Sequence, residues 1–195
     1  MTLVEKFSII GSLASAIAIV VSFTFFTIQR QEDIARRNSD RNNELLALKK
    51  IILSNCQQLR KIIEENSKIL NKIEMKSYAG IEAKQAGETF YINFKDGYTE
   101  KPRKYYWKTS LRFYLLRSNL EKEVLVIAKH NVEIIDLILG LNLLIDSAND
   151  SIRFMCNKLY LSTIDALIGK ANIVKNDFEK VMQTIDLVEG QITLQ

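Results

Sequence analysis

Residues 7–28 read FSIIGSLASAIAIVVSFTFFTI, 22 positions without one charged side chain. A helix needs about 20 apolar residues to cross the hydrocarbon core of a bilayer. The six hydroxyl residues in the run, Ser8, Ser12, Ser15, Ser22, Thr24 and Thr27, can bond back to helix carbonyls. A cleaved signal peptide fits less well. The start, MTLVEK, sets one acid beside one base, the apolar run is long, and Ala14-Ser15-Ala16 lies inside it rather than after it. The stretch therefore predicts a retained single-pass transmembrane anchor.

The flanking charges predict an orientation. Lys6 alone precedes the run, whereas Arg30, Arg36, Arg37 and Arg41 follow it. Basic residues stay on the cytoplasmic side. The expectation is an inner (plasma) membrane protein with its N-terminus outside, a tail at 1–6, an anchor at 7–28 and a cytoplasmic body at 29–195. Gly11, Ser15, Ala18 and Ser22 fall at spacings of 4, 3 and 4. Such a small-residue seam lets two helices approach closely, which suggests a homo-oligomer.

The body is rich in Leu, Ile, Lys, Glu and Asn, with one proline, a composition that suits long helices. Leu45, Leu48, Ile52, Asn55, Leu59, Ile62, Asn66, Ile69 and Ile73 repeat at alternating spacings of 3 and 4. That is a coiled-coil-like seam, and a buried asparagine in a seam often fixes register. Ile51, Ile63 and Leu70 widen the stripe, which favours packing against two helices. The first helix is expected to run on from the anchor to about residue 78.

Residues 79–107 break the pattern. Phe90, Ile92 and Phe94 in TFYINF (89–94) alternate as on one face of a strand, and Asp96-Gly97 is a turn signal. A loop or β-hairpin insertion is expected at about 80–105, at the membrane-distal tip. Pro102 then suits the start of a second helix. The run 146–151, DSANDS, is rich in capping residues and reads as a break. Against that break, Ile138, Ile145, Ile152, Leu159 and Ala166 keep a seven-residue spacing across it. Val174, Phe178, Val181, Ile185, Val188 and Ile192 form a clean final seam, and Gly169 could end or kink its helix. The predicted fold is mainly α. A transmembrane helix continues into an antiparallel three-helix bundle, with helices over 29–78, 108–146 and 151–194. A four-helix version broken at 169–172 stays open.

Chemistry is sparse. The only histidine, His130, reads as the edge of a helix seam, which excludes His-rich zinc sites and two-histidine catalysis. No phosphate-binding loop, dinucleotide turn or G-x-S-x-G occurs. Glu64-Glu65 and Asp146/Asp150 read as charge on solvated helix faces. Cys56 and Cys156 read as small core residues rather than a disulfide. No metal, cofactor or catalysis is expected. The net charge of +4 is mild and gives no reason to expect nucleic acid.

One cluster stands apart. Lys101, Arg103, Lys104, Tyr105, Tyr106, Trp107 and Lys108, with Arg112, Tyr114 and then Arg117, bring six bases and no acid among aromatics, and include the only tryptophan. Trp, Tyr and Arg are the residue types of interface hot spots. They are also the types that close the end of a bundle, and charge plus stacking can hold single-stranded nucleic acid. The function expected is a membrane-anchored, non-catalytic scaffold or adaptor that presents its helical body to a protein partner. The alternative is a membrane sensor-effector, such as a toxin or defence effector, in which a signal at the tip alters assembly of the anchor.

Overall fold

The structure, a computed structural model, describes the backbone of residues 3–87, 89–130, 132–159 and 163–193. It describes no side chains at 3–13, 121, 122, 125, 128, 130, 133 and 164. Helix α1 spans Leu3–Glu74 and is followed by strands β1 (Gly80–Ala86), β2 (Thr89–Lys95), β3 (Gly97–Thr99), β4 (Lys104–Tyr106) and β5 (Thr109–Tyr114). A 3-10 turn at Leu120–Glu123 leads into the short α2 (Val124–His130), then α3 (Val132–Asn157) and α4 (Ile164–Thr193). The chain divides into two compact units, Met1–Ala47 and Leu48–Gln195.

Among the described residues no helix is long and apolar enough to cross a membrane. The side chains of residues 7–13 lie outside the described residues. The single-pass anchor, the membrane as a partner, the inner-membrane location and the N-out orientation read from the sequence are therefore not retained. Within the first unit, Ile17, Ile19, Val20, Val21, Phe23, Phe25, Phe26 and Ile28 are exposed on α1. Thr24 and Thr27 hydroxyls donate back to the carbonyls of Val20 and Thr24, each at 2.7 Å. Ser15, Ala18 and Ser22 of the small-residue seam are exposed, and Gly11 falls outside the described side chains.

In the second unit the seams do the packing. On α1, Leu48, Ile52, Cys56, Leu59, Ile63, Asn66, Ile69, Leu70 and Ile73 are buried. On α4, Val174, Phe178, Val181, Ile185, Val188 and Ile192 are buried. Ion pairs fix the directions of the helices. Arg60 on α1 reaches Asp186 and Glu189 on α4, and Glu74 meets Lys175, so these two helices are antiparallel. Ser151 on α3 donates to Asp177 on α4 at 2.7 Å, and Lys170 lies over the Phe154 ring, so α3 and α4 are antiparallel as well. Helices α1 and α3 therefore run the same way. The expected alternation, with a second helix at 108–146 returning against the first, is corrected. The chain returns through β5 and the segment behind it.

The reason lies in residues 109–114, TSLRFY. Thr109, Leu111 and Phe113 face inward, and Ser110, Arg112 and Tyr114 face outward, the period of a strand. Strand order is β1-β2-β5, all antiparallel, with the β3–β4 ribbon inserted between β2 and β5. The inner face, Phe90, Ile92, Phe94 and Phe113, is buried. Tyr78, just beyond α1, meets Phe94 edge-on at 5.3 Å, and Phe113 stacks on Phe178 of α4 at 6.4 Å. The DSANDS run is no break. It lies within α3, with Ala148 and Asn149 buried, and the helix instead ends at Asn157. Gly169 sits inside α4 and neither ends nor splits it, so the four-helix alternative is set aside. Pro102 starts no helix; it follows a cis peptide bond in the turn of the β3–β4 ribbon.

Behind β5 the chain forms a strap between α1 and α3. Asn66, fully buried on α1, donates to the Tyr114 carbonyl at 2.7 Å and accepts from the Tyr114 N–H at 2.9 Å. Asn149, on α3, does the same for Leu116, at 2.9 and 2.7 Å. Each carboxamide stands in for a neighbouring strand. Leu115 and Leu116 are buried between them. The two cysteines are buried and unpaired. Burial pushes the Cys56 thiol up to about 11 and the Cys156 thiol up to about 12, which leaves them mostly protonated and unreactive at neutral pH.

Replacing Asn66 or Asn149 with leucine keeps the volume but strands a backbone donor and acceptor. Each substitution is expected to cost about 2–4 kcal/mol, since each unsatisfied buried group costs about 1–3 kcal/mol. Urea unfolding midpoints, at unchanged slope, measure the loss. A loss below about 0.5 kcal/mol would show that the strap does not depend on these pairs.

Candidate functional site

The basic-aromatic cluster is built mainly on the β3–β4 ribbon. Gly97 pairs with Tyr106, Tyr98 with Tyr105 and Thr99 with Lys104. The residues at 100–103 close the turn, where the Thr99 hydroxyl contacts the Pro102 carbonyl at 2.6 Å and the Lys104 carbonyl at 3.2 Å. Two aromatic contacts stiffen the ribbon. The rings of Tyr98 and Tyr105 pair across it at 4.9 Å. The Tyr106 ring lies over Gly97 so closely that a β-carbon there would come within 2.5 Å of it. A side chain at 97 would displace the Tyr106 ring from this position.

The base of the ribbon is anchored to the body. The Asp96 carboxylate accepts from Lys72 at the end of α1 and from the Thr109 hydroxyl at 2.9 Å. The same Lys72 ammonium lies 4.7 Å from the centre of the Phe94 ring. The Lys108 N–H donates to the Phe94 carbonyl at 3.2 Å. The Lys72 bond holds the Asp96 carboxyl below its ordinary range. Partial desolvation opposes it, and the Thr109 bond adds to the lowering.

What the ribbon presents is exposed. Tyr98, Tyr105, Tyr106 and Trp107 keep 48, 51, 46 and 48% of their surface in solvent. Lys101, Arg103, Lys104 and Lys108 are exposed as well. The aromatics therefore do not close an end of the helical bundle. Within 100–108 four bases face one acid, Glu100.

The structure separates two members of the sequence cluster. Arg112 and Tyr114 lie on the outer face of the sheet, where Arg112 stands over the Tyr91 ring at 5.8 Å. A hydrogen bond with Tyr114, and then the charges of Tyr91 and Tyr114, hold the Arg112 guanidinium above its usual range. Phe113, between them, is buried in the core. Tyr98 joins the ribbon's aromatic face, although it lies outside the contiguous basic run. Its membership depends on pairing with Tyr105, which no local spacing reveals.

Other candidates carry no constellation. Among the described residues no group of three or more His, Cys, Asp or Glu could hold a metal ion. The His130 side chain lies outside the described residues. Asp150 pairs with Arg153 at 2.9 Å, while Asp146 and Glu64 are exposed and Glu65 is half-buried. The chain matches no protein-family model, no curated protein and no solved structure.

The Asp96 anchor has a pH signature. Its folded carboxyl titrates below the unfolded value of 3.8. The anchor's stabilisation is therefore present above about pH 4 and is lost as pH falls through the lower, folded value. Asp96→Asn is expected to be less stable than the parent at pH 6, with the gap closing toward pH 3. Urea midpoints at the two pH values check this, and a gap that does not narrow would remove Asp96 as the titrating anchor.

Proposed function

We propose that this protein is a non-catalytic binding module, a scaffold or adaptor whose helical body holds the β3–β4 ribbon out to an acidic segment of a protein partner. One observation carries the reading. Four aromatic rings on a rigid two-stranded frame stay about half exposed beside four exposed bases. Exposed aromatics cost solvation, and a fold that only needed to end its bundle would bury them. Rigid rings with two torsions lose little entropy on binding, and flanking bases steer an acidic partner and set its orientation. The cross-strand Tyr98–Tyr105 pair and the Tyr106–Gly97 contact hold the rings in place before any partner arrives. The anchor at Asp96 ties that frame to α1 through Lys72.

Trp107 is the only tryptophan, so its fluorescence reports on the ribbon alone. Titration with an Asp/Glu-rich peptide containing one or two apolar residues should give a saturable shift in Trp107 emission. A neutral peptide of the same length should not. Lys101→Glu/Arg103→Glu/Lys104→Glu should weaken binding at least about 10-fold, because three steering charges are reversed. Raising the salt should weaken the parent in the same direction. Saturable binding of a single-stranded oligonucleotide but of no acidic peptide would replace the protein partner with a nucleic acid. Silence toward both would remove the ribbon as a binding surface.

A further inference from the structure

The three-stranded sheet has two edges, and the chain treats them differently. The strand order β1-β2-β5 leaves β1 and β5 at the ends. Residues 87 and 88 alone join β1 to β2, so Ala86 and Thr89 form the closing hydrogen-bonded pair and the bonding alternates from there. The main-chain groups of Ala86, Lys84, Glu82 and Gly80 therefore turn toward β2, and those of Gln85, Ala83 and Ile81 turn away from the sheet. Carried across β2, the same alternation turns Ser110, Arg112 and Tyr114 outward on β5. Asn66 meets the outward N–H and C=O of Tyr114, as that parity requires.

The β5 edge is thus capped at Tyr114 and runs on into the buried strap. The β1 edge is open. Among the described residues no main-chain group pairs with Ile81, Ala83 or Gln85 on the far side of β1. The strand is 7 residues long, contains no proline and pairs with β2 at every position. Its length is about 23 Å. Exposed edges are commonly blunted by proline, a bulge or a lysine. The one lysine here, Lys84, lies on the outer face and pairs with Glu82 at 3.2 Å, while Glu82 also accepts from Asn93 at 2.9 Å.

The open edge adjoins the ribbon. The Trp107 ring stands beside Gly80 on the outer face, where a β-carbon at 80 would lie 4.0 Å from it. A strand laid along β1 would set one outward side chain against that ring. Its inward side chains would cover Ile81 and Ala83, which are half-buried against the core. With Lys84 and Glu82 paired, the outer face keeps Lys95 and Arg112 as excess positive charge.

We propose that the acidic partner segment binds as a fourth strand on the β1 edge, bonded to the main chain of Ile81, Ala83 and Gln85 with one side chain against Trp107. This deepens the proposed function and rests on it. In strand addition the main-chain bonds give affinity and the pockets for alternate side chains give specificity. The ribbon then supplies the steering charges and the tryptophan, and the edge supplies the bonds.

Hydrogen exchange read by NMR on the whole chain tests this, with an extended Asp/Glu-rich peptide of about eight residues that carries one or two apolar side chains. At saturation the amides of Ile81, Ala83 and Gln85 should exchange at least about 10-fold more slowly. Those of Glu82 and Lys84, already turned to β2, should change little. Two forms of the peptide, N-methylated at every other residue in opposite frames, should differ. The frame that blocks the N–H groups facing β1 should bind at least about 10-fold more weakly, and the other should bind like the parent peptide. Gln85→Pro removes one outward N–H at an exposed position and should weaken binding at least about 5-fold. The methylated peptides give the same answer on an unaltered protein if proline disturbs the hairpin. A saturable shift in Trp107 emission with no slowing at 81, 83 and 85, or with both frames binding alike, overturns the proposal and leaves the ribbon as the binding surface. No shift and no slowing removes both readings. Slowing at 81, 83 and 85 that needs only a higher protein concentration assigns the edge to a second copy of the chain and overturns the peptide.

Discussion

The body of this protein depends on a side chain behaving as a backbone. A strap passing between helices cannot complete a β-ladder, because helices have no free peptide edge along their length. Asn66 and Asn149 remove that conflict. Each offers one donor and one acceptor with the spacing of a peptide group, and each takes both bonds of one strap residue. The bonds satisfy the main chain of Tyr114 and of the buried Leu116, on either side of the buried Leu115. With the strap fixed, β5 can return from the sheet, α3 can start at the other end of the body, and α1 and α3 can run the same way on either side.

The helical seams were legible because their signal is periodic and long. Six α4 positions at spacings of 4 and 3 are all buried, and Phe90, Ile92 and Phe94 alternate as a buried strand face. The failures have local causes. Strand β5 is six residues long, too short to outweigh the helical spacing that Phe113, Leu116 and Leu120 also satisfy. Strand β1, GIEAKQA, has only Ile81 as a large apolar residue and gives almost no signal. In DSANDS the capping chemistry was real but was spent on another segment, since Asn149 bonds the strap rather than a helix end. The uncharged run at 7–28 was read as an anchor from its length, and among the described residues no helix is long and apolar enough to cross a membrane.

The site was legible in composition and not in form. Charge and aromatic content pointed to 101–108, but whether those rings were buried depended on the pairing of 97–99 with 104–106. That pairing fixes Tyr98 against Tyr105 and lays Tyr106 on Gly97, and it leaves the bases in solvent. It also sends Arg112 and Tyr114 to a different face, on a strand that belongs to the three-stranded sheet. Two surfaces that are continuous in the sequence are thus distinct in space.

The asparagine pairs recognise main-chain atoms alone. The strap's side chains can therefore drift as long as they stay apolar where buried, and its path will not change. The burden of invariance falls instead on the two helical positions. Aspartate at 66 or 149 lacks the donor, glutamine is a methylene too long, and leucine offers neither bond. Within a lineage of such proteins, two asparagines 83 positions apart in this chain would mark the fold more faithfully than the segment they hold.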